Sequence, residues 1–445
     1  MVTGNGTANG HRQGGRSGGS IDPAWLDPQR LAGDEWQLRN ESGSVAGIAL
    51  GQRDGRTIAS RTEGHCLSVV GTGGGVEHAL LLPNLLHYEG SMMVIDLDGR
   101  LARMTAAVRR ERLKQTVVVL DPFSVSGEVS GSYNPLAALD EASPTVVEDA
   151  ALLAEAMIID YTRDPHWSHG ARTLLQAVML WMLRLPPDEI NPWTLAQTIS
   201  GSSDRLRVAA RMLGCSPQDA LIKMLCDSPA LDGVVAGFGS TFAAMGERER
   251  ASMFSTALFQ IPFLQSPALR QMLSSSGCDL ADLKARPTTL YLCLPASRVP
   301  THGRWWRLMM KLALAVFERA PAPRIPVLLV LNDVGAIGHI DPLETAAAKL
   351  SDAGVRVWML MQSLEQVQAR YPTAWQTLIA QAGVMTFCNC VDPMTLEFLA
   401  TRTGLSREEL ASRLATDTQQ CLVLASGHAP VILQRLGTGD DLRAG

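Results

Sequence analysis

The sequence predicts a doubly wound α/β fold that is interrupted by a block of helices. Short apolar runs alternate with helical segments over residues 65–125, and the same alternation resumes after residue 288. Between about residues 143 and 274 the strand-like runs stop and helical periodicity takes over. Strands that alternate with helices form a largely parallel sheet, so we interpret the helical block as an insertion in an α/β domain.

Runs of consecutive apolar residues identify the strands, because a strand buried on both faces does not alternate with polar positions. We predict strands over residues 66–70, 92–96, 116–121, 288–294, 327–332, 355–361, 384–387 and 420–424, with shorter candidates over 45–50 and 56–59. Helical spacing predicts helices over residues 100–114, 150–160, 168–183, 206–213, 218–225, 247–259 and 302–319, with weaker signals over 23–36.

These segments predict the domain organisation. Residues 1–20 are glycine-rich and polar, which is typical of a disordered tail. We assign residues 21–142 and 275–436 to one α/β domain, residues 143–274 to an all-α inserted domain, and residues 437–445 to a C-terminal tail.

Composition limits the function classes. A net charge of −5 provides no overall attraction to nucleic acid, so DNA contact requires a local basic patch. The eight cysteines lie mostly inside apolar runs, which indicates buried free thiols in a reducing cytoplasm. No apolar run is long enough to cross a bilayer, so we expect a cytoplasmic chain, or one held at the membrane by partners.

A glycine turn over residues 71–75 lies between a predicted strand and a predicted helix, as in a phosphate-binding loop. Counted from Gly71, the last glycine, the lysine and the hydroxyl residue of G-x-x-x-x-G-K-[ST] fall on Val76, Glu77 and His78. A carboxylate in place of the lysine repels phosphate. Three interpretations stay open: a turn that only links strand to helix, weak or modified nucleotide binding, and ATP hydrolysis. The candidate cofactor-binding residues are Gly71, Thr72, Gly73, Gly74, Gly75, Val76, Glu77 and His78.

Two further strand ends match positions that serve nucleotide chemistry. The apolar run 327–331 is followed by Asn332 and Asp333, where a motor protein carries Asp-Glu to hold Mg²⁺ and to orient water. Asn332 is therefore the candidate metal position and Asp333 the candidate catalytic position. Gln362 ends another strand, where a polar residue senses the γ-phosphate or simply begins a turn.

A dinucleotide-binding enzyme is the rival from another class. Gly71-x-Gly73 with Asp96 about twenty residues later matches part of that fingerprint. Its third glycine position is Val76, and Pro83 interrupts the intervening helix.

Two basic clusters are candidates for DNA contact. The first lies on the predicted helix 100–114, where Arg103, Arg110 and Lys114 share a face. The second combines Arg304, Arg307 and Lys311 with Trp305-Trp306, which can stack on bases if they are exposed. The alternative for each is a solvated helix face beside buried tryptophans.

Taken in order, the motifs resemble those of the coupling proteins of type IV secretion systems, the TraG-type conjugative DNA-transfer ATPases. They are PNLL (83–86), VIDLDG (94–99), VVVLDPF (117–123), YNPL (133–136), HWSHGARTLL (166–175), RPTTLYLCLPASR (286–298), THGRWWRL (301–308), LNDVGAIGHI (331–340) and MQSLEQV (361–367). The resemblance implies a RecA-like P-loop NTPase fold with an all-α domain. It also implies a hexameric ring that receives relaxase–DNA or protein substrates at the secretion channel.

Three departures from the family pattern concern the motor chemistry: the missing loop lysine, Asn332-Asp333 in place of Asp-Glu, and Leu97-Asp98 in place of Pro-Lys. We therefore expect a degenerate ATPase site with impaired hydrolysis, no required cofactor, and ATP with Mg²⁺ as an optional ligand. The expected partners are the secretion machinery or a relaxase complex, with DNA contact and homo- or hetero-oligomeric assembly. Without a transmembrane segment of its own, the chain is expected to reach the cytoplasmic face of the inner membrane only through partners. The functional alternatives are a working transfer ATPase with a non-standard loop and the dinucleotide-binding enzyme.

Overall fold

A computed structural model describes residues 47–53, 56–60, 64–71, 73, 80–160, 165–332, 334–337, 349–415 and 418–436. The predictions for residues 1–20, 23–36 and 437–445 lie outside this part of the chain.

The described residues form one 11-stranded sheet with the order β2-β1-β11-β10-β9-β3-β8-β7-β4-β6-β5. All pairings from β9 to β5 in this order are parallel, and those among β9, β10, β11, β1 and β2 are antiparallel. The strands are β1 Ile48–Arg53, β2 Arg56–Ser60, β3 His65–Val70, β4 Met92–Leu97, β5 Thr116–Leu120, β6 Thr288–Leu294, β7 Val327–Leu331, β8 Val355–Met361, β9 Ala382–Cys388, β10 Gln420–Ala425 and β11 Val431–Gln434.

Helices follow most of the parallel strands, as a parallel sheet requires. The helices of the α/β part are α1 Leu82–His87, α2 Arg100–Glu111, α11 Asp282–Ala285, α12 Val299–Arg319, α13 Val334–Ile337, α14 Leu364–Arg370, α15 Trp375–Ala380, α16 Pro393–Thr403 and α17 Arg407–Arg413. Between β5 and β6 the helices are α3 Val146–Met157, α4 His166–Met182, α5 Pro192–Ser200, α6 Asp204–Leu213, α7 Pro217–Cys226, α8 Val234–Ala244, α9 Glu247–Gln260 and α10 Pro267–Leu273.

Each face of the sheet carries its own apolar core. Alternate residues of a strand point to opposite faces, so Leu67 and Val69 of β3 join one core and Cys66 and Val70 join the other. The first core continues through α12 into the helical block. Helix α12 joins the two parts, because Lys311 Nζ donates to Glu155 Oε1 on α3 at 2.9 Å.

The α/β fold class predicted from the sequence is confirmed, whereas the domain boundaries stay predictions. The sequence analysis missed β11 and the helices α5, α8 and α10 of the helical block, and it gave no bounds for α11 or for α14 to α17. Helix α8 has the sequence VVAGFGSTFAA, in which small residues and two glycines obscure the helical stripe. Strand β11 is only four residues long and is stabilised by its pairing with β10.

Candidate functional site

The three predicted site segments meet at one edge of the sheet. Because β3, β8 and β7 are adjacent and parallel, the residues that follow them lie at the same carboxyl edge. Gly71 follows β3, Gln362 follows β8 and Asn332 follows β7. Neighbouring strands lie about 4.8 Å apart, so Gln362 lies between two positions separated by about 10 Å. Open α/β sheets bind ligands at this carboxyl edge.

The glycines of the turn have separate structural reasons. The Gly71 N–H donates to Cys388 O at 3.0 Å. A Cβ on Gly71 would lie 1.9 Å from Asn389 O, so any larger residue requires the end of β9 to move. Gly73 is exposed and has φ +76°, a left-handed conformation that favours glycine. Close packing therefore accounts for Gly71 whether or not a phosphate binds, while Thr72 and residues 74–78 lie outside the described residues.

The polar side chains at this edge are amides. Asn332 is half-buried directly after β7, and Asp333 lies outside the described residues. Gln362 is exposed; its backbone N–H donates to Gln366 Oε1 at 3.0 Å, and within the described chain its own side chain makes no hydrogen bond. An amide oxygen at Asn332 offers a metal a ligand atom without the negative charge of a carboxylate. The amide of Gln362 is exposed at this edge of the sheet.

The acids that end β4 and β5 hold the fold together. Asp96 is fully buried, and its carboxylate accepts from the Leu101 and Ala102 N–H groups at the start of α2. Asp121 Oδ2 accepts from the N–H and the hydroxyl of Ser126. Burial, followed by the charge of Asp96, raises the pKa of the Cys293 thiol beside it. The dinucleotide alternative requires Asp96 to bind a ribose, and this buried, already bonded carboxylate does not support it.

The second basic cluster is not a base-stacking surface, so that interpretation of the sequence is wrong. Trp305 and Trp306 are fully buried, and Trp306 Nε1 donates to Leu292 O at 3.2 Å. Lys311 is bonded to Glu155, and Arg304 donates to Gln260 O on α9. The helical block covers this face of α12, which an isolated helix would present to solvent.

The arginines of the first basic cluster have partners within the chain, whereas Lys114 is exposed. Arg103 donates to Ser126 O at 3.2 Å, and Arg110 pairs with Glu128 at 2.7 Å. Arg109 is fully buried and donates to Leu85 O and to Thr289 Oγ1; burial lowers its pKa to about 10. The structure therefore gives these arginines structural partners.

Three side chains that the sequence analysis did not single out meet beyond the ends of β5 and β6. The rings of Phe123 and His302 lie edge to face with centroids 5.2 Å apart, and the Arg298 guanidinium lies 5.7 Å from the Phe123 centroid. Burial, and then the charge of Arg298, lowers the pKa of His302. The only sequence signal was that these residues lie in the motifs LDPF, PASR and THG.

Comparison with known proteins identifies the family of this chain. The family described as type IV secretory system conjugative DNA transfer matches residues 28–419. The chain belongs to this family. The prediction of a TraG-type coupling protein is confirmed.

Curated relatives share the family at low identity. The conjugal transfer protein TraG of Escherichia coli is 25% identical over 358 residues, covering 74% of this chain and 53% of that protein. Protein VirD4 of Agrobacterium fabrum is 20% identical, covering 86% of this chain and 56% of that protein. The chain thus spans about half the length of the curated relatives it matches.

Solved structures show the same fold. An unbound form of the bacterial conjugative coupling protein TrwB, without its first 70 residues, superposes with a TM-score of 0.65 at 15% identity. The match covers 90% of this chain and 89% of the TrwB chain. This confirms the RecA-like P-loop NTPase fold. In the part of the chain that the structure describes, no helix combines the length and the apolar character needed to span a bilayer.

Proposed function

We propose that this chain is a coupling protein of conjugative transfer whose ATP hydrolysis is impaired and which acts by binding. It docks a relaxase–DNA or protein substrate, or it assembles with an active homologue. Membership of the conjugative DNA transfer family supports the general role. The observation that carries the specific role is the Asn332 amide at the end of β7, where hydrolysis requires a carboxylate.

Removal of one preorganised electrostatic group from such a site costs about 10²–10³ in rate. The sequence alters the loop lysine as well as the metal-holding acid, and both changes affect the same phosphate. TrwB has been solved in complex with ADP and Mg²⁺ and with a non-hydrolysable ATP analogue. A nucleotide bound by this chain would lie at the corresponding edge, against residues 71–78, and we propose that docking does not require it.

A cavity in the helical block supports the docking role. It has a volume of about 730 Å³ and lies among α4, α5, α6 and α10, with Trp181, Leu185 and Val208 among its apolar walls. The Arg270 guanidinium stacks 4.6 Å from the Trp193 ring centroid, and Asp188 also lines the cavity. The lining combines four apolar side chains with five charged ones, Asp188, Glu189, Asp204, Arg205 and Arg270. Such a mixed surface suits an amphipathic polypeptide segment, and the volume lies in the range of ligand sites.

The hydrolysis claim is tested by Mg²⁺-dependent ATP turnover of the full chain. We expect the wild type to release no more phosphate than Asp333→Ala, with the exposed-site variant Gln376→Ala as control. Saturable hydrolysis that Asp333→Ala abolishes would instead support the working ATPase with a non-standard loop. Thermal shifts with Mg·ATP, ADP and NAD(P)H are measured in parallel, and a shift with NAD(P)H alone would support the dinucleotide enzyme.

The docking claim is tested by mating assays in a strain that lacks this gene and is complemented with variants. We expect Trp193→Ala to reduce transfer about tenfold or more, which corresponds to about 1.4 kcal/mol of lost binding. Phe259→Ala removes an exposed aromatic residue that does not line the cavity, and transfer should be unchanged. Loss of transfer with Asp333→Ala but not with Trp193→Ala would contradict the proposal.

A further inference from the structure

Two buried cysteines face each other across neighbouring strands. The antiparallel register of β9 and β10 pairs Leu422 with Phe387, which places Cys421 directly opposite Cys388. The two residues are 0% and 1% exposed. Both contribute to the same apolar core as Val70 and Leu433, so their side chains lie on one face of the sheet.

The backbone hydrogen bonds show whether Cys388 and Cys421 form a hydrogen-bonded or a non-hydrogen-bonded antiparallel pair. Cys388 O accepts from the Gly71 N–H, so the polar backbone groups of Cys388 point to β3 and not to β10. Cys388 and Cys421 therefore form a non-hydrogen-bonded antiparallel pair, in which Cα atoms lie about 4.5 Å apart. Disulfides span Cα distances of about 4.4–6.8 Å, so a bond here is within reach at the short end of the range. Bonds at such limits are strained and are readily reduced again.

The groups around this pair affect the pKa values of the two thiols differently. The neighbouring Cys421 thiol, whose Sγ also donates to Leu50 O at 3.4 Å, lowers the pKa of Cys388 against the opposing effect of burial, and the charge of Arg435 lowers it further. The pKa of Cys421 is raised by the neighbouring Cys388 thiol and by burial. The pKa of one thiol is thus lowered and that of its neighbour is raised, which is the asymmetry between a nucleophilic cysteine and its resolving partner.

We propose that Cys388 and Cys421 form a redox-responsive dithiol that closes reversibly to a disulfide and moves the backbone that holds the glycine turn. With hydrogen peroxide as oxidant, the Cys388 thiolate attacks one peroxide oxygen and the O–O bond breaks. A sulfenic acid forms, and the leaving hydroxide takes up the proton that the Cys388 thiol released and becomes water. The Cys421 sulfur then attacks the sulfenic sulfur, the S–S bond forms as the S–O bond breaks, and the leaving hydroxide departs with the Cys421 proton as a second water. Two thiols lose two electrons to one hydrogen peroxide molecule, which becomes two water molecules.

The link to the glycine turn is direct. Cys388 O holds the Gly71 N–H at 3.0 Å, and the next residue, Asn389, leaves no space for a Cβ on Gly71. A disulfide that changes the spacing between the end of β9 and β10 therefore alters the contact that positions the start of residues 71–75. This inference depends on the sheet alone and holds whether or not the chain hydrolyses ATP.

The bond is tested on the full chain, purified reduced, treated with hydrogen peroxide and alkylated under denaturing conditions. We expect two fewer alkyl groups than in the untreated reduced protein, a peptide pair joined through Cys388 and Cys421, and full recovery of both thiols with dithiothreitol. Cys388→Ser and Cys421→Ser should each abolish this product. Cys390→Ser is the matched control, because Cys390 is equally buried two residues away and should not be needed. Absence of the joined peptide in the wild type, or its loss in Cys390→Ser alone, would overturn the inference.

The link to the glycine turn is tested by hydrogen exchange of the oxidised and reduced wild type. We expect oxidation to change the exchange rate of the peptide that contains Gly71, and we expect no change in Cys421→Ser treated in the same way. An oxidised wild type with the disulfide in place and an unchanged exchange rate for this peptide would overturn the proposed coupling.

Discussion

The buried side-chain amide of Asn84 makes the hydrogen bonds to β1 that a neighbouring strand would otherwise make. Its Oδ1 accepts from the Ala49 N–H at 2.7 Å, and its Nδ2 donates to Ala49 O at 2.9 Å and to Leu80 O at 2.8 Å. The side chain is 1% exposed, so water cannot replace these bonds. The asparagine of the PNLL motif thus attaches α1 to β1, a structural role that the motif alone did not reveal.

We predict that Asn84→Ala lowers the free energy of unfolding by about 3 kcal/mol, because buried polar groups of Ala49 and Leu80 lose their partners. Urea-induced unfolding measures the loss. Gln376→Ala on α15 is exposed and should change stability by less than about 0.5 kcal/mol. A similar small change for Asn84→Ala would show that β1 is held by other contacts.

His302 predicts how stability depends on pH. Its pKa in the folded chain lies below the ordinary 6.5. The unfolded chain therefore takes up a proton at a higher pH than the folded chain, and the stability of the fold falls as the pH drops below about 6.5. Above that pH both states are neutral at this residue, and it has no effect.

We expect His302→Gln to lose less stability than the wild type between about pH 7.5 and about pH 5.5, because it has no imidazole to protonate. The midpoint of urea-induced unfolding at the two pH values gives the comparison. His169→Gln, at an exposed position on α4, is the control and should retain the loss seen in the wild type. An equal loss in His302→Gln would assign the acid sensitivity to other groups.

At the scale of elements, the backbone at the end of β9 restricts which residue can follow β3, whether or not a ligand binds there. Gly71 is confined by the Asn389 backbone, whereas a Cβ on Gly73 would have nothing within 4 Å among the described atoms. Two glycines of one motif are thus required for different reasons, close approach in the first and a left-handed backbone in the second.

We predict that Gly71→Ala destabilises the chain by about 3 kcal/mol, because its Cβ forces the end of β9 to shift. Gly73→Ala needs only the left-handed backbone of a non-glycine residue and should cost about 1 kcal/mol. Chemical unfolding of the two variants gives the difference. Equal losses of unfolding free energy in the two variants would indicate that the end of β9 shifts with little loss of stability.

Helix α12 demonstrates how tertiary packing reverses an inference made from helical spacing. Arg304, Arg307 and Lys311 follow the spacing of a solvated basic face, yet Arg307 and Lys311 are 7% and 9% exposed. The helical block supplies Glu155 Oε1 to Lys311 and Gln260 O to Arg304, from positions 156 and 44 residues away in the sequence. No local pattern on α12 indicates that those partners exist.

For the whole molecule, the arrangement of strands determines where the structure is most resistant to opening. The strands β3, β8, β7 and β4 lie inside the parallel part of the sheet, and most of their residues are buried on both faces. Strands β1 and β2 form the antiparallel end of the sheet. Regions with many buried contacts open at a free energy near that of global unfolding.

We therefore predict that hydrogen exchange followed by mass spectrometry is slowest for peptides from β8, β7 and β4, and faster for those from β1 and β2. The reason is that central strands lose their hydrogen bonds only when the sheet opens as a whole. Faster exchange in β7 than in β2 would contradict the strand order.

The sequence by itself determined the fold class, the positions of most strands and the family. Buried parallel strands are recognised by local composition, and the order of motifs is a property of the chain alone. The tertiary structure decided which residues meet. Gly71, Gln362 and Asn332 come together because β8 pairs with both β3 and β7, and Cys388 faces Cys421 because β9 pairs with β10. Strand pairing joins segments that are distant in the chain, and the sequence of one strand does not indicate which other strand it pairs with.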